Sequence, residues 1–238
     1  MSVSPLPEFS SYAPARLLEA RPAAAQQVRL RVDPPPSFGD RHRHAGQFCR
    51  MRAGDAEGIF AMASAPGVTP IEFLVRTGAG DGGEAADRLA AMSGGTPIEM
   101  SGPAGDGFGF EYEALEDLVF VATGTGVAPV CAALDALLNA GSPRRSVSLI
   151  YGVRSEAHVA IHDDLARWAA TGVGTRLCFS QVEGGVLRGE RVQDVLRATH
   201  PDLSQTSVVA VGQPEMLSSL LDVVRELGGT EDRFFTNL

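Results

Sequence analysis

The run VFVATGTGVAPVCAALDALLNA, residues 119–140, constrains the fold of this chain more than any other stretch. It joins an apolar segment to a turn built on Gly124, Gly126 and Pro129, and then to a helical pattern. A strand that empties through glycines into a helix N-terminus is suited to hold phosphate. The glycines admit an anion close to the backbone, and the unpaired N–H groups and positive dipole end of a helix beginning near Ala128 complement its charge. The third glycine of the usual dinucleotide fingerprint is missing, as are the Lys and Ser/Thr of an ATP-binding loop. The turn alone therefore points to a nucleotide without choosing one.

The chain around it divides into two rhythms. Residues 15–21, 26–33, 46–53, 58–64 and 71–77 read as short strands separated by Pro/Gly turn signals, followed by a helix over 83–92 and a last strand from Thr96. Six strands with one late helix predict a small antiparallel β-barrel. In the second half, apolar runs at 118–122, 147–151, 175–179 and 207–211 alternate with helical patterns at 128–140, 162–170, 191–199 and 215–227. Strands alternating with helices predict a doubly wound α/β domain on a parallel sheet. The acidic stretch 111–116 sets the expected boundary, giving domains 1–112 and 113–238. In such a sheet ligands bind outside the carboxyl ends of the strands, here 123–129, 152–154, 180–181 and 212–214.

Composition narrows the function. The 238 residues are 44% hydrophobic and 21% charged, the values of a globular protein with room for two cores. A net charge of −9 argues against nucleic acid as a partner. Every cation besides histidine is an arginine, so neither Schiff-base chemistry nor a lysine phosphate clamp is available. Cys49, Cys131 and Cys178 lack any metal or disulfide spacing and read as buried free thiols. No run is long enough to span a membrane, and the first residues lack the pattern of a secretory signal, so a cytoplasmic protein is expected. Arg41, His42, Arg43 and His44 read as a solvated loop. His158 and His162 stand four apart beside Asp163 and Asp164 without a third or fourth ligand, so no metal is expected. Ser64 has no His or Asp partner at a recognisable spacing, which argues against an acyl-transfer nucleophile.

Taken in order, GQF at Gly46, SGPAGDGF at 101–108, ATGTGVAP at 122–129, YGVR at 151–154 and VGQPEM at 211–216 resemble the ferredoxin–NADP reductase superfamily over nearly the whole chain. FAMAS from Phe60, GQ near the end and the FFTNL terminus resemble a branch that includes a plant fruit protein of the same class. The resemblance implies an FAD-binding barrel and a nicotinamide-nucleotide domain. Thr123, Gly124, Thr125, Gly126 and Pro129 would then line the nicotinamide dinucleotide's pyrophosphate, with Gly152 and Arg154 flanking the crevice and Gly212, Gln213 and Met216 along its nicotinamide or adenosine edge. Where members using NADPH carry a Ser-Arg pair for the 2'-phosphate, this chain has Ser180 and Gln181. A neutral glutamine favours NADH over NADPH unless Arg176, Arg188 or Arg191 reaches in.

The flavin side departs from the family pattern. The expected Arg-x-Tyr-Ser on the fourth strand reads Ala61, Met62, Ala63, Ser64, and a later Ser/Thr falls at Ala86. Loss of a charge-assisted contact costs about 1.5 to 3 kcal/mol and loss of an aromatic platform about 1 more. Backbone donors at 63–66 and at Gly83, Glu84, Ala85 and Ala86 would remain for FAD. A ring would pack against Phe60, Met62 or Phe108, and Phe234 or Phe235 would cover the flavin. Ser64 is the expected hydrogen-bond donor to flavin N5, and Val211 stands where many members place a cysteine. The expected function is a flavin-dependent NAD(P)H oxidoreductase serving an external electron acceptor, protein or small molecule. The alternative is a flavin-free nucleotide-binding subunit or sensor, favoured by Ala61, Ala63, Ala86 and Val211.

Overall fold

The computed structural model describes residues 9–78, 83–109, 117–141, 146–181 and 189–237. The expected boundary at 111–116 lies outside these residues. Strands β1 (Ala13–Ala24), β2 (Gln27–Asp33), β3 (Phe48–Ala53), β4 (Ala56–Ala61), β5 (Ile71–Arg76) and β6 (Pro97–Met100) form one antiparallel sheet, with helix α1 (Glu84–Ala91) between β5 and β6. Its order is β4-β3-β6-β1-β2-β5, which leaves β4 and β5 as edges. The sheet curls until these edges meet through an isolated bridge between Met62 and Phe73 and a 2.7 Å bond from Ala63 N–H to the Glu72 carbonyl. It is barrel-like without a closing ladder. Alternate residues fill the inside, where Leu17, Leu30, Met51, Phe73 and Met100 are fully buried.

Strands β7 (Asp117–Thr123), β8 (Ser146–Val153), β9 (Gly174–Phe179), β10 (Thr206–Val211) and β11 (Phe234–Phe235) form a parallel sheet of order β11-β10-β7-β8-β9. Helices α2 (Val127–Ala140), α3 (His162–Ala169), α4 (Val192–Thr199) and α5 (Pro214–Glu226) make the crossovers. Because the sheet is covered on both faces, its central strands β7 and β10 are nearly continuous apolar runs. Leu118, Phe120 and Ala122 of β7 face α2, while Val119 and Val121 face the layer that α4 and α5 build. The chain proceeds outward from β7 to β9 on one side and to β10 and β11 on the other. The strand order thus reverses between β7 and β10, the place where such sheets hold ligands.

Two expectations from the sequence need correction. The fourth strand ends at Ala61 rather than at Ser64, because Met62 turns into the barrel core to pair with Phe73. The 41–44 loop is not uniformly solvated, since His42 is 3% exposed and its ring meets the Phe38 ring edge-on at 6.2 Å. The two-residue strand β11 went unpredicted: two residues carry no period, and only pairing with Val208 and Val209 defines them.

Candidate functional site

At the end of β7 the backbone turns on Gly124, whose φ of +54° suits glycine, and enters α2 with Gly126 as its N-cap. The Tyr151 hydroxyl donates to the Gly124 carbonyl at 3.2 Å and fixes the turn to β8. Burial pushes that phenol above its ordinary pKa, so it stays protonated as a donor. Gly126 lies against β10: a β-carbon there would come 3.0 Å from the Val211 carbonyl oxygen and 3.1 Å from its Cγ1. The glycine at 126 therefore lets the first turn of α2 press onto β10 at the reversal point.

Between this turn and the barrel runs a cleft of about 400 Å³, within the range of small-molecule sites. Ile59, Phe60, Ala61, Leu74, Val75 and Arg76 line it from β4 and β5, and Gly83 and Ala86 from the start of α1. The opposite wall is Thr125, Gly126, Ala128 and Pro129 with Val211, and Asn237 closes one end. The N-terminal ends of α1 and α2 thus border one cavity, and the first-turn N–H groups of each are free of intrahelical partners. Most of the other lining side chains are apolar, while polar atoms make up the larger part of the exposed wall.

The structure brings Phe60, Ala61, Gly83, Ala86, Thr125, Gly126 and Pro129 together here as expected site residues. Others stand back from it. Met62 points into the barrel core, and Ala63 and Phe108 are buried in the seam between the domains. Ser64 is buried, its Oγ accepting the Glu72 N–H at 2.7 Å. Ala85 is buried behind Gly58, and Glu84 is exposed and paired with Arg88 at 2.7 Å. Phe235, expected over the ring, is half-buried on strand β11 and packs against the seam.

The remaining predicted positions gather around Thr123. A β-carbon at Gly152 would approach Thr123 Cγ2 at 3.2 Å and Val192 Cγ1 at 2.8 Å, and one at Gly212 would meet the Met216 side chain and lie 2.6 Å from Thr123 Oγ1. These two glycines close the strand ends around Thr123, a packing demand that holds with or without ligand. Gln213 is the N-cap of α5. Arg154 and Gln181 are adjacent at the ends of β8 and β9, joined by a 2.9 Å bond from Gln181 N–H to the Arg154 carbonyl. With Ser180 they are exposed, and the Arg154 guanidinium has no ion-pair partner among the described residues.

Sequence motifs did not reveal Leu74, Arg76 or Asn237. Asn237 Nδ2 donates to the Gly46 carbonyl at 3.4 Å, which ties the end of the chain to the barrel loop. Across the seam, Gln27 Nε2 donates to the His158 carbonyl at 2.9 Å and Ala25 N–H to the Ala157 carbonyl at 2.7 Å. The two sheets therefore hold the cleft between them as fixed walls.

Comparison with known proteins agrees with this geometry. A family model described as the oxidoreductase NAD-binding domain matches residues 120–221. The chain is 26% identical, over 92% of its length, to the reductase component of propane 2-monooxygenase from Rhodococcus jostii, and spans 61% of that protein. It is 28% identical to ferredoxin–NADP reductase B from Sorangium cellulosum over 79% of each chain. Among solved structures, a ferredoxin NADP+ reductase from Neisseria gonorrhoeae with bound FAD and NADP superposes with a TM-score of 0.77 at 19% identity, covering 96% of this chain and 100% of that one. The FAD/NAD-binding domain of a nitric oxide dioxygenase from Vibrio cholerae gives 0.78 at 18% identity, over 94% and 96%. The solved structures share the two-domain fold.

Proposed function

We propose that the chain is a member of the ferredoxin–NADP reductase superfamily of FAD/NAD(P)-binding oxidoreductases, and that it passes a hydride from NADH to FAD, and the electrons onward to an acceptor outside the chain. The observation that carries this reading is the single cleft in which Phe60, Ala61, Gly83 and Ala86 of the barrel face Thr125, Gly126, Pro129 and Val211 of the parallel-sheet domain. A site for hydride exchange between two dinucleotides needs a wall for each and little water between them.

The residues present fit the groups the fold implies. A side chain at Gly126 would press on the Val211 carbonyl of β10, and its absence leaves the cleft open beside the α2 N-terminus. When bound, FAD would supply the capacity to take a hydride and release electrons singly or in pairs. The chain itself binds and orients. The start of α1 at Gly83 offers backbone N–H groups to a flavin phosphate, the turn 124–126 and the start of α2 offer them to the nicotinamide dinucleotide, and Ile59, Phe60, Leu74 and Val211 exclude water. Ser64 does not line the cleft and its Oγ accepts the Glu72 N–H, so we do not assign it the expected bond to flavin N5. Gln181 brings no charge to a 2'-phosphate, which favours NADH over NADPH.

The acceptor is an external redox protein or small molecule, in keeping with relatives named as reductase components of oxygenases. Among the described residues no helix is long and apolar enough to cross a membrane. We place the protein in the cytoplasm. A second reading has one specific observation behind it: Ala61 borders the cleft where the family pattern has arginine, so a subunit or sensor without flavin would leave the same wall. Titration with FAD followed by flavin fluorescence separates the two. Saturable binding with NADH oxidation by an artificial acceptor supports the enzyme, and absence of both supports the sensor.

A further inference from the structure

Tyr151 sits in a stretch of β8 where Leu149, Ile150 and Val153 are buried beside it, and it is itself 0% exposed. A phenylalanine would fill that space without burying a hydroxyl, which is costly unless it is hydrogen-bonded. Here the hydroxyl is used twice. It donates to the Gly124 carbonyl at 3.2 Å, and its oxygen accepts the Ala160 N–H. The two partners belong to different parts of the molecule. Gly124 opens the turn into α2, whereas Ala160 follows the segment whose Ala157 and His158 carbonyls accept the Ala25 N–H and Gln27 Nε2 of the barrel. A line of hydrogen bonds thus runs from the barrel, through 157–160 and the phenol, to the turn beside the cleft.

We propose that Tyr151 is a positioning residue for dinucleotide binding, its hydroxyl holding the peptide between Gly124 and Thr125 so that the Thr125 N–H faces the phosphates. In a trans peptide the carbonyl and the N–H leave the plane's axis in opposite directions, so fixing one aims the other. Thr125 and Gly126 line the cleft and Tyr151 does not, which puts the anchor behind the turn. The turn needs such an anchor: Gly124 has a φ of +54°, and a β-carbon there would meet nothing within 4 Å. The Gly124 carbonyl also accepts the Val127 N–H, which ties the turn to its own helix. The phenol ties it instead to the segment docked on the barrel, and so to the opposite wall of the cleft.

The inference rests on the dinucleotide reading above, and its test separates the two. Wild type, Tyr151→Phe and Leu196→Ala, a change in the buried face of α4, are titrated with NADH and with FAD by calorimetry. Thermal midpoints are recorded, and amide hydrogen exchange is followed over 124–128 and 192–199. Tyr151→Phe is expected to weaken NADH about fivefold to thirtyfold, to leave FAD within twofold, and to speed exchange over 124–128 without changing it over 192–199. Leu196→Ala is expected to lower the midpoint at least as much and to leave NADH within twofold. NADH affinity unchanged in Tyr151→Phe, or weakened no more than in Leu196→Ala, overturns the proposal. Wild type that binds no NADH refutes the functional reading itself, and the role of Tyr151 falls with it.

Discussion

Arg29 Nη2 lies 2.6 Å from Asp164 Oδ2, and this ion pair joins barrel strand β2 to helix α3 of the parallel-sheet domain. Both side chains are 12% exposed. The pair sits in a chain of contacts. Arg29 also holds Glu72 at 2.9 Å, Asp164 holds Arg167 at 2.9 Å, and Asp135 of α2 accepts from Arg167 at 2.7 Å and from Trp168 Nε1 at 2.8 Å. The bridge is one of several contacts that hold the two walls of the cleft together.

Removing Asp164 leaves the buried Arg29 guanidinium with Glu72 as its remaining partner. Asp164→Ala is therefore expected to destabilise the protein by about 1.5 to 3 kcal/mol in urea unfolding, and Arg29→Met with Asp164→Leu to recover most of that loss. A double mutant as unstable as the single one would show that the pair acts through something other than its charges.

Gly126 and Gly124 answer differently to the same substitution. Alanine at 124 meets nothing within 4 Å, so its cost is the left-handed backbone alone, about 1 to 2 kcal/mol. Valine at 126 must displace the Val211 carbonyl, which is part of the β10 ladder. Gly126→Val is therefore expected to weaken NADH binding at least tenfold and lower the thermal midpoint, with Gly124→Ala the milder change in both. Equal affinities for NADH in the two variants would place the dinucleotide elsewhere.

Gln181→Arg puts a guanidinium beside Arg154 at the ends of β8 and β9. The ratio of kcat/KM for NADPH over NADH is expected to rise by about tenfold or more, as a charge-assisted pair with the 2'-phosphate predicts. A ratio that does not move means the 2'-position is read at another surface.

His42 gives the fold a pH dependence. Burial, with a smaller push from His44, lowers its pKa from 6.5 to about 4, and neither ring nitrogen has a hydrogen-bond partner among the described residues. The folded state keeps the ring neutral where the unfolded chain binds a proton, so stability falls as pH drops from 6.5 towards 4. The loss reaches about 3 kcal/mol below that window. His42→Leu is expected to flatten the denaturant midpoint over this range, leaving the slope that His200 and the carboxylates contribute. An unchanged slope would remove His42 as its source.

Much of this architecture was legible because it is written locally. The apolar run ending at Thr123, the glycines after it and the helical period from Val127 each follow from neighbours in sequence. The two-domain division was readable from the change of period. Arg76 and Arg29 were not, because both occupy outward positions of alternating strands, which usually face water. Their surroundings come from the second domain lying on the barrel and from the curl that brings β4 to β5. His42 was misread for a similar reason: Phe38, four residues away in a proline-rich loop, covers it.

The cleft between Phe60 and Gly126 is proposed to join a flavin to a nicotinamide dinucleotide. The most direct test of this is the anaerobic addition of NADH to FAD-loaded protein while the absorbance band of oxidised flavin is followed. Rapid, stoichiometric bleaching that restores on addition of an electron acceptor is the predicted result. A protein that binds FAD and NADH but leaves the band unchanged would contradict it.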